Sequence, residues 1–225
     1  MDWTKALAES WDKNAANWTR AVRDGLIPSR KAGTDDAVVK AIAARKPSRM
    51  LDVGCGEGWL IRRVRQLTNC AAAGIDGSAL LIEEAKRADG NSQYETMSYA
   101  ELAIDSSSLG DEFDVVVFNY SLFDEDAAQL LASVRPLLAT DGVVIIQSLH
   151  PWSLPEGEQY ADGWRTENFA AFGNHNWEPM PWYFRTLESW HRVVREAGLV
   201  LLDLKETSAG AGGRPLSLLM ICGRR

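Results

Sequence analysis

Apolar positions early in the chain recur at helical spacing. Trp3, Leu7, Trp11, Ala15, Trp18 and Val22 stand three or four residues apart, which gathers them on one face of a helix. The stretch GLIPSRKAG, with Gly25, Pro28 and Gly33, reads as a loop. Thr34 is placed to cap a second helix from Asp35 to about Arg45. Its first turn carries Asp35 and Asp36, where the helix dipole favours acids, and Pro47 closes it.

From Arg49 the rhythm changes to strand, helix, strand. RMLDVGC, CAAAGID, SQYETMS, FDVVVFNYSL and GVVIIQSL read as strands. GWLIRRVRQL, SALLIEEAKRA and DEDAAQLLASVRPLL read as helices between them. Continuous Val and Ile runs mark strands buried on both faces, and alternation with helices makes the sheet parallel. The chain then offers an amphipathic helix, TLESWHRVVREAGL, with Gly198 at its C-cap. LVLLDLKET and LSLLMICGR follow, joined only by the glycine-rich SAGAGGRP, so they must pair as an antiparallel hairpin. That glycine-rich link opens no helix and reads as a turn rather than a phosphate loop. Between Pro151 and Phe184 lies a segment rich in Trp, Tyr and Phe, set among Pro, Gly and Asn, in which neither period persists. It follows the fifth parallel strand, at the edge where such sheets bind ligands.

Composition narrows the partners. The 225 residues carry a net charge of −7 and an isoelectric point near 5.1, with no long basic run, so nucleic acid is not the expected partner. No apolar run approaches the roughly 18 to 20 residues of a membrane span. MDWTKALAESWDKN lacks the apolar stretch of a signal peptide. Cys55, Cys70 and Cys222 are scattered and odd in number, so neither a disulfide framework nor a metal site is expected, and a reducing cytoplasm is the expected compartment. The expected partner is a small molecule; oligomeric state is left open.

The densest chemistry lies in LDVGCGEGWL, residues 51–60. An apolar strand carries Asp52, then breaks into Gly54, Gly56 and Gly58 before a helix begins. In an open α/β sheet such a turn brings bare backbone to the ligand edge. The spacing is GxGxG rather than GxGxxG, and a carboxylate beside it would repel a pyrophosphate while favouring a cationic group. Asp76 closes the second strand eighteen residues after Gly58, where an acid accepts hydrogen bonds from ribose hydroxyls. A nucleoside with a cationic amino-acid end and no phosphates is S-adenosylmethionine.

Asp52-Val53-Gly54-Cys55-Gly56-Glu57-Gly58, Gly74-Ile75-Asp76 and Phe113-Asp114-Val115-Val116-Val117 together resemble class I S-adenosylmethionine-dependent methyltransferases. More narrowly, they resemble the small-molecule group that includes the quinone-biosynthesis enzymes. The resemblance covers about residues 48–150, and the closing hairpin agrees with that family's reversed last strand. It implies that Asp52 and the backbone of Gly54 and Gly56 face the methionyl part. Asp76 would hold the ribose, with Gly77 and Ser78 alongside. Ser98 and Tyr99 stand where the family often has an acid and a small residue near the adenine. Phe118, Asn119 and Tyr120 would border the sulfonium and the acceptor. Trp11 and Trp18 stand in a segment resembling one that folds over the cofactor. NYSL replaces the Asn/Asp-Pro-Pro-Tyr stretch of many nucleobase and amide N-methylases.

Several candidates carry two readings. Trp11 and Trp18 are core residues of an amphipathic helix or a cofactor cover. Arg30 is a solvated loop residue or a partner of the cofactor carboxylate. His150, after the fifth strand, is the candidate general base or a turn histidine bonded to backbone. His175 and His191 read as structural, and Cys55 as a cofactor-binding loop residue whose small side chain packs rather than acts as a nucleophile.

The expected fold is therefore a doubly wound, Rossmann-like α/β sheet of seven strands, mostly parallel with an antiparallel last strand. The expected organisation is a helical cap (1–47), a cofactor-binding core (48–150), an aromatic substrate lid (151–184) and a closing helix and hairpin (185–225). The expected activity is methyl transfer from S-adenosylmethionine, leaving S-adenosylhomocysteine, to a small aromatic or hydrophobic acceptor. An NAD-dependent oxidoreductase and a non-catalytic cofactor-binding protein are the alternatives. The first lacks a YxxxK pair; turnover with candidate acceptors separates the second.

Overall fold

The computed structural model describes residues 2–154, 157–172, 176–210 and 212–225. Helix α1, Trp3–Arg23, starts at Asp2, whose side chain accepts the Lys5 N–H. Its buried line includes Leu7, Ser10, Asn14, Ala15, Thr19 and Ala21, while Trp3 remains 37% exposed. The expected tryptophan stripe is thus half-buried, and polar residues take the innermost positions. Asn14 explains this: its amide donates to the Glu178 carbonyl and accepts the Glu178 N–H at 2.8 and 2.9 Å.

The expected loop before the second helix is partly wrong. Arg30–Thr34 is a helical turn broken by a kink at Gly33, φ 119°, and it runs directly into α2, Asp35–Ala44. Thr34 is itself helical and makes no side-chain cap.

The main sheet comprises β1 (Arg49–Val53), β2 (Ala71–Asp76), β3 (Gln93–Thr96), β4 (Phe113–Asn119), β5 (Leu138–Leu149), β8 (Leu199–Ser208) and β9 (Pro215–Arg224), numbered along the chain. Its spatial order is β3-β2-β1-β4-β5-β9-β8. The first five strands pair in parallel, and β9 runs antiparallel to both β5 and β8. The reversed strand is last in sequence but second from the edge, because a hairpin partner must run opposite and β8 takes the outside.

Helices cover both faces. Val116 and Phe118 of β4 pack with α6 (Ala127–Val134) and α7 (Leu187–Glu196), whereas Val115 and Val117 pack with α2 and α3 (Trp59–Arg65). Alternate residues of one strand thus feed two aliphatic cores, the physical meaning of doubly wound. Helix α4, Ala79–Ala88, joins the second core. The short α5, Tyr99–Ile104, was not expected from periodicity, since it buries only Leu102.

The aromatic segment also holds regular structure that the pattern did not predict. Gly163–Glu167 (β6) and Met180–Phe184 (β7) form a separate antiparallel pair. Pro181 inside β7 masks the strand signal. Leu7, Phe123, Phe169 and Met180 make a third, small core with Trp11, Trp18, Tyr120, Phe172, Trp177 and Trp182 against it. No helix among the described residues is long and apolar enough to cross a membrane.

Candidate functional site

Chain connections from β1 run to β2 on one side of the sheet, and β4 flanks it on the other. That reversal opens a crevice beyond the carboxyl end of β1, where the glycine loop stands. The N–H groups of Gly54 and Cys55 both donate to the Ile75 carbonyl, at 2.8 and 2.9 Å, which folds the loop over the end of β2. Gly54 sits at φ +77°, and a Cβ there would meet Ser121 Cβ at 2.4 Å and the Tyr99 hydroxyl at 2.8 Å. A Cβ on Gly56 would stand 3.7 Å from Trp18 Nε1, so α1 does reach the loop.

Two acids flank this backbone. Asp52 is 2% exposed, and its Oδ1 has no hydrogen-bond partner among the described residues. Burial, with Asp76 adding repulsion, pushes its carboxyl up to about 8. Asp76 is anchored through both oxygens, accepting the Ser78 and Gly56 N–H groups at 2.9 Å each. Burial raises its pKa and those two bonds oppose the rise. Each oxygen keeps a lone pair for a further donor. An unpartnered buried carboxyl suits a cationic donor, and an oriented carboxylate suits a pair of hydroxyls.

Gly77 and Ser98 meet at the neighbouring edge, a Cβ on Gly77 falling 3.9 Å from Ser98 Cα. The Ser98 hydroxyl is taken by a capping box, bonding the Glu101 N–H and carboxylate, so it caps α5 instead of facing a base. Ser78 is buried with an unpartnered hydroxyl. Tyr99 donates to the Ser121 carbonyl at 2.8 Å, over Gly54. Asn119 accepts from Gln147 Nε2 at 3.0 Å, at the end of β4.

Other expectations are corrected. Gly58 is bare to admit the Tyr94 ring, which a Cβ would meet at 2.8 to 3.0 Å, not a ligand. The Cys55 side chain is buried against Gly74, and burial pushes its thiol up. Arg30 pairs with Asp35 at 2.8 Å and stacks 3.9 Å over Trp59, so it is committed within its own turn. His150 accepts the Trp152 N–H on Nδ1 at 3.0 Å, so its proton lies on Nε2, which donates to Glu206 at 2.7 Å. With both nitrogens engaged the ring has no free lone pair, and the expected general base becomes a turn histidine. His191 is exposed; His175 lies outside the described residues.

Sequence reasoning missed four contributors. Ser121 closes over Gly54 and donates to the Val53 carbonyl at 2.7 Å. Glu57, fully buried within the loop, pairs with Arg23 of α1 and Arg62 of α3 at 3.1 and 2.7 Å. The Phe123 carbonyl accepts the Tyr183 N–H of β7 at 2.8 Å. Buried Arg185 donates to the Leu122 and Asp124 carbonyls, tying the same loop to the hairpin. Only Glu57 had a local signal, being an acid inside a glycine loop. Two open clefts among the described residues, of about 410 and 350 Å³, are lined by none of Asp52, Gly54, Gly56 or Asp76.

Comparison with known proteins adds a family to this geometry. A family model described as a methyltransferase domain matches residues 30–204. A malonyl-(acyl-carrier protein) O-methyltransferase of Enterobacter lignolyticus is 30% identical over 131 residues, 58% of this chain and 49% of that protein. The chain spans about half the length of the curated relatives it matches. Among solved structures, an S-adenosylmethionine-dependent methyltransferase from Mesorhizobium loti superposes with a TM-score of 0.63 at 18% identity, covering 84% of this chain and 96% of that one. The Burkholderia thailandensis 1,6-didemethyltoxoflavin-N1-methyltransferase, with its substrate and S-adenosylhomocysteine bound, gives 0.67 at 18% identity over 99% and 89%. At such identities these structures speak for the fold.

Proposed function

We propose that this chain, which belongs to the methyltransferase-domain family, transfers the methyl group of S-adenosylmethionine to a small aromatic or hydrophobic acceptor. The observation that carries the reading is the pair of acids around bare backbone. Asp52 offers an unpartnered buried oxygen to an ammonium, and Asp76 offers an anchored carboxylate to a ribose diol.

Bound S-adenosylmethionine supplies a methyl group already activated on a cationic sulfur. Gly56 leaves its backbone open on the methionyl side and Gly77 does so beside the ribose, whereas Gly54 is bare to admit Ser121 and Tyr99. Tyr99 and Ser121 close over the loop. In this reading the 151–184 segment acts as the substrate lid, with Trp11 and Trp18 completing the wall from α1. Their rings would hold a planar acceptor and keep water from the reacting pair. Because His150 has no free nitrogen, the chain favours an acceptor that is already nucleophilic when bound.

The test is calorimetric titration of S-adenosylhomocysteine, with NAD as control ligand and Asp76→Ala alongside. Micromolar binding that the variant loses, with NAD silent, supports the reading. Binding of NAD alone by folded protein would sink it.

A further inference from the structure

Four polar atoms, none with a hydrogen bond of good geometry among the described residues, are buried together where β4, β5 and β9 meet the kink before α2. They are Thr34 Oγ1, the Tyr120 hydroxyl, Gln147 Oε1 and Ser217 Oγ. Thr34 and Ser217 are 0% exposed and Gln147 is 1%. Their proximity follows from the topology. Gln147 pairs in register with Asn119 on β4 and Leu219 on β9, two residues from Ser217 and on the same face. Its Nε2 donates to the Thr34 carbonyl and to Asn119 Oδ1, both at 3.0 Å, which fixes the amide and leaves Oε1 free. The Thr34 and Ser217 hydroxyls are within hydrogen-bonding reach of the Tyr120 phenol, in poor geometry, and moderate a pKa that burial pushes up to about 12.

An unsatisfied buried polar group costs about 1 to 3 kcal/mol, so four in one place call for a cause. One further feature marks the spot. Tyr120 sits at φ +53°, in the left-handed region that a bulky residue avoids. Tyr120 also packs against the aromatic core of the hairpin and α1, so a ring held there would have its edge at this cluster.

The cluster's chemistry selects a ligand group. Arg30 and Asp35, the charges acting on the phenol, neutralise one another at 2.8 Å. Neither a carboxylate nor an ammonium finds a free countercharge. Gln147 Oε1 only accepts, whereas three hydroxyls donate or accept. A neutral hydroxyl satisfies both needs, donating to Gln147 and accepting from the hydroxyls around it. We infer that Thr34, Tyr120, Gln147 and Ser217 form a subsite that anchors a ring hydroxyl of the methyl acceptor, which makes the acceptor a hydroxylated aromatic. The inference rests on the methyl-transfer reading.

Its test uses ligand-observed NMR on protein saturated with S-adenosylhomocysteine, with three matched bicyclic probes: a naphthol, the corresponding naphthoate and bare naphthalene. The naphthol binds best, by about five- to tenfold over naphthalene, the value of about one hydrogen bond. Tyr120→Phe and Thr34→Val bring that ratio to about one. Melting of the ligand-free variants, with Ser217→Ala added, separates this from a structural network. Removing an unsatisfied hydroxyl leaves the melting temperature unchanged or higher, and a fall of several degrees in all three overturns the subsite. A naphthol preference absent, or unaltered by the variants, also overturns it. If S-adenosylhomocysteine binds and no ring does, the aromatic-acceptor reading and the subsite fall together. If S-adenosylhomocysteine itself does not bind, the cofactor reading fails first.

Discussion

Strand β4 buries Val115, Val116, Val117 and Phe118 completely, whereas Trp164, Trp182 and Tyr183 of the β6–β7 hairpin all stay partly exposed. Both regions are apolar, but they are held differently. In the sheet, aliphatic side chains alternate between two closed cores, and a deleted atom leaves a void. In the cover, rings meet edge to face or offset, as Trp11 and Trp18 do at 5.3 Å and Phe169 and Trp177 at 4.6 Å. Such ring pairs add about 0.5 to 1.5 kcal/mol each beyond the area they bury, so the half-exposed cover is held by a few directional contacts rather than by closed packing.

Truncation should break the symmetry between the two most sharply. Phe118→Ala is expected to cost about 3 to 5 kcal/mol in urea unfolding, while the half-buried Phe172→Ala costs about 1 kcal/mol. Equal losses would mean that the cover is as closed as the sheet. Next in size, Asp76→Ala should weaken S-adenosylhomocysteine binding by about 1.5 to 3 kcal/mol, read by calorimetry, with some loss in melting because the Gly56 and Ser78 N–H groups lose their acceptor.

The Asp52 carboxyl sharpens the comparison through pH. Its pKa rises from the ordinary 3.8 to about 8 on folding, so the folded state binds the extra proton between those values. Its contribution to ligand-free stability is therefore full below about 3.8 and declines as pH rises to about 8. Affinity for a cationic ammonium runs the other way. It should grow up to about tenfold per pH unit below about 8 and level off above, a slope that Asp52→Asn removes. Smallest of all, Trp18→Phe should shift melting by less than about 1 kcal/mol yet alter the tryptophan fluorescence response to ligand.

The same contrast explains what could be read in the chain. Val and Ile runs between turn residues announce β4 and β5, because burial on both faces leaves a continuous apolar signal. Gly54 was legible because few other residues fit a positive φ beside a strand end, and Asp76 because an acid closes the second strand eighteen residues after Gly58. The hairpin was not, since Pro181 interrupts β7 and aromatic residues half-face solvent on both sides. Helix α5 had a signal that went unused: Ser98 and Glu101 stand at capping-box spacing. Arg185, Ser121 and the Thr34–Gln147–Ser217 group are silent in sequence, because each acquires its partners only when distant strands align.

The two-ended attachment of α1 has a consequence for the order of folding. Arg23 bonds Glu57 and Glu84, Thr4 bonds Asp124, and Asn14 bonds Glu178, at separations of 34, 61, 120 and 164 residues. This helix is made before every element it grips. Its full set of bonds can form only once Glu178 has been made, and loop-closure entropy grows with those separations, so α1 is expected to gain hydrogen-exchange protection after β4 on refolding.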